Sequence, residues 1–315
     1  MSATKKPAKS PAVKAPGRSP VIVILGPTAS GKSELAIKLA KRFPGQIVSA
    51  DSRQIYQGLN IGTGKVAAAQ QRQVKHYLLD IVKPSQQLYL PQYQRLANQA
   101  LSKISQAGYL PFLVGGTGLY LSAVIENYQI PKVAPQSKRR RQLEKMTAKA
   151  LFSLLKKLDF QTAKKIDRYN KRRLIRAIEF SQSTGQSFLP SQKIGQPKFN
   201  FLLIGLQTDR ARLYGRINKR VAKMLQAGLA REVKRLVKRY GWQAPALTSI
   251  GYQEWRPYFE GQQTRAQVLE KIQQNSRNYA KRQLTWFQRM AKRSKINWLT
   301  NSAQANALIK KFISN

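Results

Sequence analysis

The stretch VIVILGPTASGKSELAIKLA, residues 21–40, decides the fold, because an apolar run, a glycine-bracketed loop and a helical pattern follow one another without interruption. The loop GPTASGKS satisfies the pattern G-x-x-x-x-G-K-[ST] in the strand–loop–helix context that the pattern requires. Backbone amides that converge at the start of a helix favour an anion. We therefore predict a phosphate-binding loop (P-loop); the alternative is a glycine-rich turn that binds no ligand.

The main chain and the side chains of this loop would share the binding of the phosphates. Lys32 would reach the phosphates, and the hydroxyl of Ser33 would ligate Mg²⁺, which is therefore the predicted cofactor. The predicted phosphate-binding residues are Gly26, Pro27, Thr28, Ala29, Ser30, Gly31, Lys32 and Ser33.

Short apolar runs alternate with helical patterns on both sides of the loop. This alternation implies crossover connections, and so an α/β fold with a P-loop core, in which helices flank a parallel sheet. The predicted strands are residues 21–25, 46–49, 78–81, 111–114 and 199–208. The predicted helices are residues 33–43, 90–107, 117–126, 210–240 with a break near Gly228, and 264–292.

The composition changes near Tyr128. Residues 132–176 contain sixteen Lys or Arg and three acids, and their apolar residues recur at helical spacing. We therefore predict a mainly helical, basic insertion domain over residues 128–196. The P-loop catalytic core would comprise residues 21–127 and 197–315.

The first twenty residues are basic and free of acids, and they contain four prolines. This composition predicts a disordered basic tail over residues 1–20, and it disfavours the amphipathic helix of a mitochondrial presequence. No apolar run approaches the roughly 18 residues that span a bilayer, so we expect no membrane partner. The chain has no cysteine and one histidine, which excludes disulfides and structural zinc sites and favours a cytoplasmic location.

The net charge indicates the class of partner. Lys and Arg number 57 against 13 acids, giving a formal net charge of +44. Such a field attracts polyanions, and the binding should weaken with salt because neutralised phosphates release counterions. The alternative is a surface whose charge only keeps the protein in solution.

Because acids are scarce, each acid at the end of a strand is conspicuous. Asp51 directly follows a predicted strand, which in a parallel sheet puts it at the carboxyl edge beside the P-loop. One interpretation is a general base that faces a bound phosphate ester. The other is a helix N-cap or loop carboxylate.

These features agree with some classes of P-loop protein better than with others. A GTPase would carry an Asn-Lys-x-Asp signature, which this sequence lacks. An ATPase would place a carboxylate at the end of a strand next to the P-loop strand, for which Asp80 is a weak candidate. A small-molecule or nucleotide kinase stays open, although its substrate would not call for the excess of positive charge. A non-catalytic RNA-binding P-loop protein also stays open.

Eight sequence blocks, in register over about 270 residues, resemble the tRNA dimethylallyltransferases, also called isopentenyltransferases. The blocks are GPTASGKS, SADSRQIYQGLNIGTGK, HYLLDIVKP, GYLPFLVGGTGLY, NKRRLIRAIE, TGQS, IGYQE and YAKRQLTWFQR. The resemblance implies transfer of a dimethylallyl group from dimethylallyl diphosphate to the exocyclic amine of the adenine 3′-adjacent to the tRNA anticodon, giving isopentenyladenosine. The implied partners are this donor and the tRNA anticodon stem-loop, with the adenine flipped into a channel; we expect a monomer.

The resemblance also implies catalytic roles for individual residues. Asp51 would act as the general base. Lys32 would stabilise the departing diphosphate, Arg220 would lie near the diphosphate, and the hydroxyl of Thr117 would face the same crevice. The pattern of residues leaves simpler interpretations open: Thr117 could cap a helix, and Arg220, with Arg216 one turn earlier, could belong to a solvated basic helix face.

Two segments resemble those that the family uses to contact tRNA. They comprise Asp51, Ser52, Arg53 and Gln54, and Arg172, Arg173, Leu174, Ile175 and Arg176. The second segment lies in the insertion domain, so the resemblance implies that this domain binds tRNA. The family often carries His-Pro-Asn-Asp before the second segment, whereas this chain reads Asp-Arg-Tyr-Asn at residues 167–170. We expect His76 to be a structural histidine, and we expect Tyr279, Trp286 and Phe287 to pack in the core.

Overall fold

The computed structural model describes residues 17–130, 137–189 and 193–314. Most of the predicted disordered tail, residues 1–16, lies outside the described residues, whereas Pro20 already begins the first strand. The chain divides into two compact units: a core formed by residues 17–125 and 197–314, and an insertion unit, Glu126–Gln196. The insertion unit thus begins two residues before residue 128, the boundary predicted from the composition.

Eight strands lie in the described residues. They are β1 (Pro20–Leu25), β2 (Gly45–Ser49), β3 (His76–Tyr77), β4 (Leu110–Gly115), β5 (Tyr128–Gln129), β6 (Lys193–Ile194), β7 (Asn200–Leu206) and β8 (Ile296–Leu299).

Thirteen α-helices lie in the described residues. They are α1 (Lys32–Arg42), α2 (Ala68–Gln73), α3 (Leu90–Gln106), α4 (Gly118–Ile125), α5 (Ser137–Lys145), α6 (Ala148–Leu158), α7 (Phe160–Ala163), α8 (Lys171–Thr184), α9 (Arg210–Gln226), α10 (Leu229–Tyr240), α11 (Arg256–Phe259), α12 (Arg265–Ala291) and α13 (Ser302–Ser314).

The core unit is built on a six-stranded sheet in the order β3-β2-β4-β1-β7-β8. All of its strand pairs are parallel, and β1 lies between β4 and β7. The carboxyl ends of the strands therefore meet at one edge, where the P-loop leaves β1. The α/β class with a parallel sheet flanked by helices is confirmed.

Strand β1 is apolar throughout because both of its faces are covered. Val23 packs with Leu101 of α3 on one side of the sheet. Ile24 packs with Ile37 of α1 and Ile309 of α13 on the other side. Each of these buried side chains stabilises the fold by roughly 1.5–3 kcal/mol relative to exposure. A third cluster joins α9, α10 and α12 to the segment that follows β2, so it fixes helix α9 near the edge of the sheet.

The strand predicted at residues 78–81 is wrong. The strand in this part of the chain is β3, which ends at Tyr77. Leu78 and Asp80 have φ values of 63° and 54°, and this left-handed backbone cannot continue a strand. Asp80 instead pairs with Lys65, whose side chain is only 3% exposed. Two elements that the sequence patterns did not predict, β8 and α13, complete the core beyond residue 292.

The insertion unit has its own apolar core, which includes Leu151, Leu155 and Ile178. Asp159 fixes the chain around this core: it accepts hydrogen bonds from Thr162 N (3.0 Å), Ser187 Oγ (2.6 Å) and Phe188 N (2.8 Å). Burial alone would raise the pKa of Asp159, but these hydrogen bonds lower it to about 2. The carboxylate therefore stabilises the unit above the pKa of the unfolded chain, and this contribution is lost as the pH falls towards 2.

Within the described residues, we find no helix that combines the length and the apolar character needed to cross a membrane.

Candidate active site

The P-loop presents a set of backbone and side-chain donors at the start of α1. Gly31 precedes α1 with φ +90°, and no side chain caps the helix. Among the described residues, the amides of Ala29, Gly31, Lys32 and Ser33 donate no hydrogen bond. Ser30 Oγ is buried and also has no partner in the described part of the chain. Buried or converging donors without partners fit an anion, because an unmade hydrogen bond of this kind is costly.

Lys32 lies inside this cradle. Its Nζ donates to the carbonyl oxygen of Pro27 at 3.3 Å. Burial lowers the pKa of Lys32 to about 8; the charge of Asp51 opposes this shift and that of Arg220 adds to it. The ammonium group is therefore still charged at neutral pH but titrates near the upper end of the physiological range.

This pKa predicts a pH dependence for use of an anionic substrate. As the pH rises through about 8, Lys32 loses its proton and with it the attraction for phosphate, so kcat/KM for such a substrate should fall. A bound phosphate group would stabilise the ammonium group, so kcat should fall at a higher pH than kcat/KM. The pH profiles of both parameters test this.

The matched variant is Lys32→Arg, whose guanidinium stays protonated throughout the accessible range. In this variant the alkaline fall assigned to Lys32 should disappear. A wild-type profile that is flat beyond pH 9, or an unchanged fall in the variant, would contradict the assignment.

Neither strand beside β1 offers the carboxylate of an ATPase. Strand β4 ends at Gly115, where a Cβ atom would overlap the carbonyl oxygen of Ala50. Beyond β7 the first acid is Asp209, which caps α9 by accepting from Arg212 N at 2.9 Å. Asp80, the weak candidate, follows the edge strand β3 and pairs with Lys65. The P-loop therefore lacks the adjacent carboxylate that the ATPase interpretation needs.

Asp51 lies in the turn that follows β2. Its Oδ1 accepts from Arg53 N at 2.8 Å and from Gln54 N at 3.3 Å, as the interpretation of a loop carboxylate requires. Its Oδ2 accepts no hydrogen bond from any other described residue. The charge of Asp51 raises the pKa of both Lys32 and Arg220, so it lies within electrostatic range of the two cations. One oxygen thus holds the turn while the other remains available beside the P-loop.

Thr117 connects the end of β4 to the Asp51 turn. Its Oγ1 accepts from Ser52 N at 3.0 Å and lies 3.3 Å from Ser52 Oγ. Its own amide donates to the carbonyl oxygen of Ala50 at 3.2 Å. The hydroxyl therefore faces the turn, in place of the capping contact with α4 that the simpler interpretation assumed.

Arg220 projects from α9 to the P-loop. Its Nη1 donates to Thr28 Oγ1 at 3.2 Å and its Nη2 to the carbonyl oxygen of Thr63 at 3.1 Å. Burial lowers the pKa of Arg220, and Asp51 raises it. Arg216 is exposed one turn earlier and makes no polar contact with a described residue. The two arginines therefore do not form a fork.

Gln283 of α12 is a site residue that the sequence analysis missed. Its Oε1 accepts from Thr28 N at 2.9 Å, and its Nε2 donates to the carbonyl oxygen of Gly116 at 2.8 Å. A Cβ atom at residue 116 would overlap this amide. Gln283 thereby joins the P-loop to the segment that carries Thr117. The available signal was a polar residue on the buried stripe between Ala280 and Phe287.

Tyrosines surround the Asp51 turn, and the sequence analysis did not assign them to the site. Tyr93 and Tyr120 stack with their ring centroids 3.7 Å apart, and Tyr93 donates to the carbonyl oxygen of Ser49 at 3.1 Å. Burial, and after it the charge of Asp51, raise the pKa of Tyr279 to about 12, although a hydrogen bond with Thr117 lowers it. Tyr279 was expected in the core, together with Phe287, which is fully buried there.

The remaining residues of the Asp51 turn lie at the same edge. Gln54 Nε2 lies 3.4 Å from the carbonyl oxygen of Gly64, and Ser52 and Arg53 are half-buried. His76 is structural, as expected: its Nδ1 lies 2.7 Å from the carbonyl oxygen of Val74, and burial lowers its pKa.

In the insertion unit, residues 172–176 are the second segment predicted to contact tRNA. Their side chains do not all lie on the exposed face of α8. Arg172 and Arg173 are exposed on α8, and Arg176 is half-buried. The inclusion of Leu174 and Ile175 needs correction, because their side chains are 0% and 2% exposed in the core of this unit. Consecutive residues of a helix are 100° apart, so five in a row cannot all face outward.

No group of three or more His, Cys, Asp or Glu residues that could hold a metal ion exists in the described ranges. A metal at this site would therefore rely on the Ser33 hydroxyl and on oxygens of the ligand itself.

Comparisons with known proteins agree on one family. The family model described as IPP transferase matches residues 54–290. A tRNA dimethylallyltransferase of Roseiflexus sp. (strain RS-1) is 42% identical over 294 residues, which cover 92% of this chain and 95% of that protein. One of Anoxybacillus flavithermus (strain DSM 21510 / WK1) is 42% identical over 270 residues, or 85% of this chain and 86% of that protein.

Solved structures agree with the sequence comparisons. The tRNA isopentenylpyrophosphate transferase of Bacillus halodurans is 36% identical with a TM-score of 0.70, covering 94% of this chain and 96% of that one. A eukaryotic dimethylallyltransferase acting on tRNA is 28% identical with a TM-score of 0.82, covering 94% of this chain and 80% of that one. The chain belongs to the IPP transferase family.

Proposed function

We propose that this protein transfers a dimethylallyl group from dimethylallyl diphosphate to the exocyclic amine of the adenine 3′-adjacent to the tRNA anticodon. The nitrogen attacks the allylic carbon, a C–N bond forms, and the C–O bond to the diphosphate breaks. Inorganic diphosphate and the amine proton leave. The observation that carries this proposal is the Asp51 oxygen that accepts no hydrogen bond from a described residue and lies within electrostatic range of Lys32 and Arg220 beside the P-loop.

At the donor end, negative charge builds up on the departing diphosphate. The amides of Ala29, Gly31, Lys32 and Ser33, which have no partner among the described residues, can donate to its oxygens. The side chains of Lys32 and Arg220 add positive charge. Donors of this kind, fixed before the reaction, are worth roughly 3 kcal/mol each in the transition state.

Magnesium fits the donor set at this site. Ser33 supplies a hydroxyl at the start of α1, and the lack of a carboxylate cluster in the described residues leaves the other positions to diphosphate oxygens and water. When bound, the ion would supply further positive charge to the leaving group.

At the acceptor end, the adenine amine is a poor nucleophile, because its lone pair is delocalised into the ring. Asp51 Oδ2 would accept the amine proton as the bond forms. Its Oδ1 stays on the amides of Arg53 and Gln54, so the carboxylate keeps its orientation during the reaction. Thr117 would hold the same turn from the side of β4.

The tRNA would contact the segment Asp51, Ser52, Arg53 and Gln54, and the exposed guanidiniums of Arg172 and Arg173. Gln54 offers both a donor and an acceptor to a base edge. Flipping the adenine costs a few kcal/mol, which contacts to the RNA must recover.

The absence of cysteine suits the reducing cytoplasm, where we place the reaction.

The exposed arginines of α8 predict a change in salt dependence. If Arg172 and Arg173 pair with phosphates, replacing both with alanine should weaken stem-loop binding and reduce the slope of log K against log salt by about one per contact. The matched control replaces Lys310 and Lys311, two exposed cations of α13. Equal slopes for the two double variants in a fluorescence-anisotropy titration would refute the contact.

The function is tested by incubating the protein with radiolabelled dimethylallyl diphosphate, Mg²⁺ and an unmodified anticodon stem-loop. We expect label in the RNA. A small-molecule kinase would instead consume ATP with an added acceptor and ignore the prenyl donor. A non-catalytic RNA-binding protein would bind the stem-loop and leave it unlabelled, and this outcome would overturn the proposal.

A further inference from the structure

A buried carboxylate outside the proposed catalytic residues faces the loop that supports Arg220. Glu232 lies in the first turn of α10 and is 5% exposed, although the rest of that helix carries exposed cations. Its carboxylate accepts from the amides of Asn60, Ile61 and Gly62 at 2.9–3.2 Å. It also accepts from the hydroxyl of Tyr252 at 2.7 Å. Four donors thus converge on one charge.

The loop at residues 60–64 lies between this carboxylate and the proposed active site. A Cβ atom at Gly62 would overlap the ring of Tyr252, and one at Gly64, where φ is +56°, would overlap the guanidinium of Arg220. The loop is therefore closely packed against Tyr252 on one side and against Arg220 on the other. Lys65 fixes its far end by donating to the carbonyl oxygen of Tyr56 at 2.8 Å.

The carbonyl groups of this loop hold two residues of the proposed site. The oxygen of Thr63 accepts from Arg220 Nη2 at 3.1 Å. The oxygen of Gly64 lies 3.4 Å from Gln54 Nε2. The amides of this loop thus bind Glu232. The carbonyls of the two residues that follow contact Arg220, which is proposed to bind the donor, and Gln54, which is proposed to contact a base edge of the tRNA.

Arg220 is half-buried and makes no ion pair among the described residues. A carboxylate in direct contact would neutralise the guanidinium and weaken its attraction for a diphosphate. A carbonyl dipole instead orients the guanidinium and leaves its net charge in place. Glu232 binds the amides of the loop and does not contact Arg220. Its negative charge can therefore hold the Thr63 carbonyl in place without neutralising Arg220.

We propose that Glu232 is a positioning residue, which holds the loop at residues 60–64 so that its carbonyls keep Arg220 aimed at the diphosphate. This inference rests on the proposed function for the identity of the anion. The charge of Glu232 acts through three amides, and Tyr252 supports it with a hydroxyl that stays protonated, because burial and then the charge of Glu232 raise its pKa strongly.

The test measures binding of inorganic diphosphate with Mg²⁺ by calorimetry, together with donor kinetics. Glu232→Gln keeps the size of the side chain but turns an NH₂ group towards the amide donors. We expect the diphosphate dissociation constant and the KM for the donor each to rise about tenfold. Tyr252→Phe keeps the ring against Gly62 and removes one donor, so it should raise both by about threefold and serves if Glu232→Gln does not fold.

A double-mutant cycle separates positioning from general stability. In an Arg220→Ala background, Glu232→Gln should change diphosphate binding by less than about twofold, because the group through which it acts is gone. A merely structural role predicts the opposite: a lower melting temperature with unchanged diphosphate affinity, or equal factors in both backgrounds.

The matched control is Asp159→Asn, which also removes a buried carboxylate from backbone amides and a hydroxyl, but in the insertion unit. It should lower stability and leave diphosphate affinity unchanged. If the wild type binds diphosphate and labels the stem-loop while Glu232→Gln binds diphosphate equally well, this inference fails alone. If the wild type binds no diphosphate, the proposed function fails with it.

Discussion

Replacing Asp51 with asparagine is expected to lower kcat for prenyl transfer by about 10³-fold, within the range of a lost general base. The amide oxygen of asparagine can still accept from Arg53 N and Gln54 N, so the turn after β2 should keep its shape. What the variant loses is the basicity of the free oxygen beside the P-loop. Single-turnover transfer to an anticodon stem-loop measures the chemical step.

Two further measurements separate this effect from a loss of binding. Inorganic diphosphate should bind the Asp51→Asn variant at least as well as the wild type, because a negative charge near Lys32 and Arg220 has been removed. Asp209→Asn, at the exposed cap of α9, is the matched control and should stay within about twofold of the wild type. If Asp51→Asn kept near-wild-type turnover, the assignment of the base would be wrong.

Replacing Lys32 with methionine should give the second largest effect. The substitution keeps the unbranched stem and removes the charge, so kcat/KM for dimethylallyl diphosphate should fall by about 10²–10³-fold. The loss should also appear as weaker binding of inorganic diphosphate, because the ammonium group attracts both the bound donor and the product. Calorimetry and initial rates with varied donor concentration measure the two effects.

Lys41→Met, in the last turn of the same helix, controls for the general loss of a cation from α1. Its kinetics should match those of the wild type. Stem-loop binding should survive Lys32→Met, since this side chain faces the P-loop and not the proposed RNA contacts. An unimpaired Lys32→Met variant would mean that the P-loop does not hold the donor.

The sequence predicted the centre of the fold better than its edges. Strand β1, the P-loop and α1 form a long uninterrupted pattern whose buried run and glycines admit one arrangement. The predicted strand at residues 78–81 failed because four residues, three of them apolar, do not determine the backbone conformation. Leu78 and Asp80 instead adopt left-handed φ values, and Asp80 pairs with Lys65. Short runs of this kind follow tertiary contacts.

The candidate site divides in a similar way. The position of Asp51 followed from a rule about strand ends, whereas the roles of Thr117 and Arg220 came from the resemblance. Gln283 and Glu232 could not be found by such rules, because their partners lie 255 and 171 residues away in the chain. Only the packing of α10 and α12 with α9 and with the segment that follows β2 brings these side chains to the loops that they hold.

The central claim is that this P-loop holds a prenyl diphosphate opposite a base that activates an adenine. Mass spectrometry of nucleosides from tRNA incubated with the protein, Mg²⁺ and dimethylallyl diphosphate tests it most directly. We predict that isopentenyladenosine replaces the adenosine next to the anticodon, that ATP cannot substitute for the donor, and that Asp51→Asn prevents the change. Unmodified adenosine at that position, with the wild-type protein folded and bound to the tRNA, would contradict the account.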